Sequence, residues 1–180
     1  MVKIFVVDAK IYYKIYHALS NQALSLLSIA IIFIGGCSSN LLTQPEIIPG
    51  GINSNSPEEY PAYSSDGRYL AFASDRRGQR DIFLYDLQAK RLVSLPNLNR
   101  RDSTQDQPSL SADGRYLAYV STERGKTDVL VYDRQQQKSE LLTVNVRGSV
   151  QEPTINGDGS QVAFQASQLG QWKIVIVNRR

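Results

Sequence analysis

The sequence predicts an all-β fold built from three copies of one four-stranded unit, and three observations carry that prediction. First, Pro61 to Asp86 reads PAYSSDGRYLAFASDRRGQRDIFLYD and Pro108 to Asp133 reads PSLSADGRYLAYVSTERGKTDVLVYD, with 14 of 26 positions identical at a gapless offset of 47. A third copy, PTINGDGSQVAFQASQLGQWKIVIVN, runs from Pro153 to Asn178 at an offset of 45. Second, each copy carries an Asp-Gly pair at one place: Asp66-Gly67, Asp113-Gly114 and Asp158-Gly159. Third, each copy ends on a short apolar run of strand length bounded by polar residues, and no helix signal interrupts the chain after the first 36 residues.

Within a copy the elements follow in order. A short first strand ends at the Asp-Gly pair, read as the centre of a type I′ hairpin turn, in which both residues take positive φ. The second strand follows as Tyr69 to Ser74, Tyr116 to Ser121 and Gln161 to Gln165. A polar loop holding Gly78, Gly125 or Gly170 leads to the third strand, which is apolar on both faces: Ile82 to Tyr85, Val129 to Tyr132 and Ile174 to Val177. Such strands should be covered on both sides, as in the inner layers of stacked sheets. An outer fourth strand is expected at Arg91 to Leu95 and at Ser139 to Val144.

A repeat of 45 to 47 residues that holds four antiparallel strands with both faces buried is a β-propeller blade. The blades divide as 58–105, 106–150 and 151–180. Their pattern, Pro-x-x-Ser-x-Asp-Gly-Arg-Tyr-Leu-Ala-Phe followed by Asp-Ile-Phe-Leu-Tyr-Asp, resembles the WD40-like repeats of the TolB propeller family. That resemblance implies a periplasmic propeller of the Tol-Pal envelope system. Similar blades also occur in other extracytoplasmic binding proteins and beside the hydrolase domain of prolyl-oligopeptidase-like enzymes, and the α/β domain that precedes the TolB propeller has no counterpart here. Propellers close with four to eight blades, so three blades make either half of a six-bladed ring or an open arc. The third copy reaches Arg180 just after its third strand, while Glu46-Ile47-Ile48-Pro49 stands where Val93-Ser94-Leu95-Pro96 stands one repeat later. Exchange of these outer strands between two chains would complete six blades as a homodimer.

Residues 1–36 read as a signal peptide. Lys3, Lys10 and Lys14 precede Ala23 to Gly36, fourteen residues without charge, too short to span a bilayer core simply. Ile34-Gly35-Gly36 then meets Cys37, the single cysteine of the chain. The junction resembles a bacterial lipobox, which implies cleavage between Gly36 and Cys37 and lipidation of Cys37, with several acyl chains giving a stable anchor. Residues 37–57 would be a lipidated linker plus the exchanged outer strand. Ser38 is compatible, by the same resemblance, with sorting to the outer membrane of a Gram-negative envelope.

Removing the leader takes three lysines and one aspartate, so 17 basic and 16 acidic residues remain and the balance falls from +3 to +1. Nothing in that balance favours nucleic acid. One cysteine excludes an intrachain disulfide framework or a Cys-based zinc site. The sole histidine, His17, lies in the leader, which removes His-dependent triads. Glycine patterns for phosphate or dinucleotide binding are missing too, so no cofactor and no metal is expected. Asp66, Asp113 and Asp158 superficially resemble an Asp-box, but an aspartate before glycine ordinarily caps its own turn; Asp86 and Asp133 read likewise as turn formers.

The remaining candidates are surface residues. Arg76, Arg77, Arg80, Arg100, Arg101, Arg124 and Lys126 fall in loops at one end of the blades, beside six acidic residues. Trp172 stands where the first copies have Asp81 and Asp128; it is read first as core filler and is kept among the candidate partner-binding residues as a stacking platform for a sugar ring or a partner's aromatic. The function expected is non-enzymatic: a lipid-anchored envelope protein that binds another envelope protein through this loop face. The competing class is a carbohydrate or peptide receptor, or a weak propeller hydrolase.

Overall fold

The computed structural model describes residues 49–179. The leader, the lipobox and most of the linker therefore lie outside the described residues. Eleven strands form three antiparallel sheets: β1 (Glu58–Tyr63), β2 (Tyr69–Ser74), β3 (Asp81–Asp86) and β4 (Arg91–Val93); β5 (Gln105–Leu110), β6 (Tyr116–Ser121), β7 (Asp128–Asp133) and β8 (Lys138–Leu141); β9 (Val150–Ile155), β10 (Gln161–Gln168) and β11 (Gln171–Asn178). Each sheet is a meander in chain order, with four, four and three strands. No helix occurs among the described residues. This is the blade architecture expected from the repeat, and the second strands of the first two copies have the bounds read from sequence. The outer strands are shorter than expected, ending at Val93 and Leu141; beyond Leu141 the chain stays tied to β7, but through the Leu142 amide and then the Thr143 hydroxyl in place of a backbone carbonyl.

The blades pack face to face through residues that alternate along the strands. Tyr69, Ala71, Ile82 and Leu84 of the first blade meet Leu110, Leu117, Tyr119, Leu130 and Tyr132 of the second. Ala118, Val129 and Val131 leave the opposite face of the second blade and meet Val150, Ile155, Val162, Phe164 and Ala166 of the third. The alternation is the pleat at work, with residues i and i+2 on one face. Apolar runs such as Val129-Leu130-Val131-Tyr132 are needed because both faces of the middle blade are covered.

The Asp-Gly turn differs from the type I′ expectation. The Gly67 amide donates to the Ser64 carbonyl at 2.9 Å, so the turn closes over Ser65 and Asp66, and Gly67 follows it in the left-handed region at φ 70°. Gly114 and Gly159 repeat this at φ 66° and 74°, while none of the three aspartates has positive φ. The aspartate side chain stabilises this form, its carboxylate accepting the amide two residues on at 2.9 to 3.0 Å in all three copies.

Each innermost strand also carries a bulge that sequence reading missed. Tyr60, Gln107 and Glu152 have φ of 52°, 54° and 51°, and the register shifts beside them. Each precedes the repeat's proline, Pro61, Pro108 or Pro153. Lacking an N–H, proline is at home where a bulge interrupts the ladder.

The third blade departs most. Rather than a polar loop around Gly170, β10 and β11 pair over eight residues each through a two-residue turn, Leu169 at φ 50° and Gly170 at φ 79°. Its third strand is not covered on both sides: Ile174 and Ile176 are 69% and 66% exposed, because no sheet lies on that face among the described residues.

Candidate binding site

The two ends of the blades are chemically different. At the end with the Asp-Gly turns, Asp66 Oδ1 accepts the Ser64 hydroxyl at 2.5 Å and the Arg68 amide at 3.0 Å. These bonds hold its carboxyl below the usual carboxylate range. The amides of Arg115 and Ser160 hold Asp113 and Asp158 down in the same way. Asp86 accepts the amides of Gln88 and Ala89, and Asp133 those of Gln135 and Gln136, while Arg68 and Arg115 close on them as ion pairs at 3.0 and 2.9 Å. These carboxylates are spent on turns. Among the described residues no cluster of three or more metal-ligating side chains occurs.

The same end locks successive blades together. The Asp66 amide donates to the Ala112 carbonyl at 3.1 Å and the Ala112 amide to that of Gly157 at 2.8 Å. The Tyr69 ring lies between Arg68 of its own blade and Arg134 of the next, 5.0 and 4.3 Å from the ring centroid. Tyr116 is held alike by Arg115 and Arg179, at 4.7 and 4.5 Å. Arg134 also donates to the Gly114 carbonyl and Arg179 to that of Gly159.

At the opposite end, the loop arginines divide into two groups. Arg76 is internal: it donates to the carbonyls of Gly51 and Ile52 and to Glu58, and covers the Phe72 and Phe83 rings. Arg80 is internal as well, held by Glu59, by Asp106 at 3.1 Å and by Asp75 at 3.6 Å, and laid over Tyr60. Their side chains are only 12% and 13% exposed, so neither can meet a partner as a free cation. Lys126 is turned onto Asp128 Oδ1 at 2.6 Å. Arg77, Arg100, Arg101 and Arg124 remain at the surface, Arg77 near Asp81 and Arg100 near Asp102 and Glu123.

Two of these surface arginines rim a half-open cavity of about 460 Å³ between the link that follows β4 and the outer part of the second blade. Arg100 and Arg124 stand on it with Glu123 and Asp128, and Leu98, Leu130 and Leu141 supply its apolar lining. The Tyr119 hydroxyl, 2.8 Å from the Ser139 hydroxyl, also lines it; burial pushes that phenol up to about 12, so it is neutral at physiological pH. Asp128 is buried, with Oδ1 accepting the Thr143 hydroxyl at 2.7 Å, and Oδ2 without a hydrogen-bond partner 3.6 Å from the Arg124 guanidinium. Such a groove presents cations, a carboxylate and an apolar floor together, which suits a polar peptide or loop more than a bare polyanion.

Trp172 corrects the core-filler reading: it is 46% exposed on the uncovered face of the third blade, opposite Ser167. Leu169, in the turn between β10 and β11, is exposed as well. Sequence reading had no signal for this patch, since Ile174 and Ile176 look like their buried counterparts in the other copies.

No family model matches the sequence, and no curated protein matches it. Solved structures do. TolB from Acinetobacter baumannii superposes with a TM-score of 0.59 at 21% identity over 69% of this chain and 30% of that one. A protein assigned as TolB from Agrobacterium tumefaciens gives 0.60 at 18% identity, over 71% of this chain and 47% of that one. A puromycin-hydrolysing peptidase from Mycobacterium tuberculosis gives 0.53 at 18%, over 70% and 20%. The chain thus spans less than half the length of each. At such identities the likeness is one of fold, and residues 58–178 have the architecture of consecutive blades of a TolB-like β-propeller.

Proposed function

We propose that the chain is a lipid-anchored protein of the bacterial cell envelope whose blades bind another envelope protein without catalysing a reaction, in Tol-Pal-type maintenance or transport. The observation that carries the binding role is the groove rimmed by Arg100 and Arg124, the part of the loop end where surface cations converge on an apolar floor. The address is supported by Ile34-Gly35-Gly36-Cys37 ahead of TolB-like blades. Cys37 carries the lipid, on the periplasmic side and at the outer membrane where there is one.

Capture from detergent-solubilised envelopes tests this reading with the full chain. The natural chain should enrich a discrete envelope protein, and the pair Arg100→Ala, Arg124→Ala should reduce its recovery by about tenfold or more. Cys37→Ser should abolish incorporation of labelled fatty acid. Saturable binding of glycans with no envelope protein enriched would replace the reading with that of a carbohydrate receptor.

A further inference from the structure

Among the described residues, the outward face and the outer edge of the third blade are uncovered. Positions repeat at offsets of 47 and 45, so Ala71, Ile82 and Leu84 correspond to Ala118, Val129 and Val131, and these to Ala163, Ile174 and Ile176. The first two sets are at most 1% exposed because the next blade lies on them. In the third set Ile174 and Ile176 are 69% and 66% exposed. The outer edge of β11 pairs with no strand among the described residues, whereas β3 and β7 each carry an outer partner.

We propose that a second copy of this chain covers this surface, laying its residues 46–48 along β11 as the missing outer strand and its first blade against the exposed face. The register follows from the repeat. In the first two blades Leu84 pairs with Val93 and Val131 with Glu140. Carried to the third blade, the same register sets Ile174 opposite the partner's Ile48, and Val175 opposite the partner's Ile47. The same register sets Ile176 opposite the partner's Glu46, as Val131 stands opposite Glu140 in the second blade. The donor strand cannot come from the same chain: Gly51 and Ile52 are tied by Arg76 to the face of the first blade turned away from the second, three stacked sheets from β11 at about 10 Å per layer. Two copies related by a two-fold axis make both junctions at once and give six blades, inside the range in which propellers close. The proposal is independent of the groove and of the lipid anchor.

Sedimentation of the full chain in mild detergent, with a cysteine-pairing readout, tests it. The natural chain should sediment as a dimer at about 10 μM, and Ile174→Lys with Ile176→Lys should weaken dimerisation by at least about 100-fold, since each lysine would be buried at the junction. Both positions are exposed in the single chain, so the far-ultraviolet spectrum of the variant should stay that of the natural chain. In a Cys37→Ser background, Ile48→Cys with Ile174→Cys should give a disulfide-linked dimer, and Ile48→Cys with Lys173→Cys, which points to the other face, should not. A monomer at that concentration, a dimer indifferent to the two lysines, or equal linkage at 173 and 174 would each overturn the proposal.

Discussion

The glycine of the Asp-Gly turn is required twice over in the second and third blades but once in the first, and a matched pair of alanine substitutions separates the two requirements. At Gly67, φ is 70° and a Cβ would meet nothing within 4 Å. Gly67→Ala should therefore cost only the left-handed backbone, about 1–2 kcal/mol. At Gly114, φ is 66° and a Cβ would come 2.6 Å from Cδ2 of Tyr69 in the preceding blade. Carbon atoms rest about 3.5–4.0 Å apart, so the ring would have to retreat by about 1 Å. It has nowhere to go, being buried and clamped between Arg68 and Arg134. Overpacking of that kind costs about 1–3 kcal/mol more, so Gly114→Ala should destabilise by about 2–5 kcal/mol. Urea denaturation of the full chain and of both variants reads the difference, and Tyr69→Ala in the Gly114→Ala background should remove the excess. Equal losses for the two alanines, within about 0.5 kcal/mol, would refute the claim that the glycine serves the contact between blades.

Two further outcomes follow from the geometry. Asp66, Asp86, Asp113, Asp133 and Asp158 are all held below their ordinary range by turn amides, hydroxyls and arginines. The unfolded chain therefore takes up protons first as pH falls. The stability these carboxylates contribute is complete above the unfolded value near 4 and drains away as pH drops through the folded values. The urea midpoint should accordingly be lower at pH 3 than at pH 5.5, and an unchanged midpoint would contradict the turn assignments. Arg76→Ala should lose about 1.5–3 kcal/mol, since it breaks charged hydrogen bonds to Gly51, Ile52 and Glu58, whereas Arg101→Ala, at an exposed position, should stay within about 0.5 kcal/mol.

The repeat made the blades legible because a blade is a local object. Turn, strand, loop and strand lie within 26 residues, and the apolar runs report directly that both faces are covered. The site was less legible because it depends on which residues meet between blades. Arg76 and Arg77 are adjacent in sequence and alike in type, yet one is sealed against Glu58 and two carbonyls and the other stands in solvent. What distinguishes them is the position of Gly51, Ile52 and Glu58, about 18 to 25 residues away. Trp172 failed for a related reason: an aromatic in an apolar strand signals burial only if something lies on its face.

The terminal blades carry a matched set of exchanges that the same logic explains. Where the first two copies have Arg68-Tyr69 with Asp86, and Arg115-Tyr116 with Asp133, the third has Ser160-Gln161 with Asn178. The change is concerted because removing one member alone would strand a carboxylate without its guanidinium, or a guanidinium without its ring. Gln161 instead donates its side-chain amide to Asn178 at 2.9 Å. At the other end, the position held by Arg134 and Arg179 in later blades is Leu87, which packs with Leu70, Phe72 and Phe83. The tyrosine half of the lock is thus missing from the uncovered face of the last blade, and the arginine half from the leading face of the first. Among the described residues, the tyrosine–arginine clamp occurs at the two junctions between blades. The outward face of the third blade carries instead the exposed apolar pair Ile174 and Ile176, and under the dimer proposal substitutions there should separate folding of the blades from their assembly.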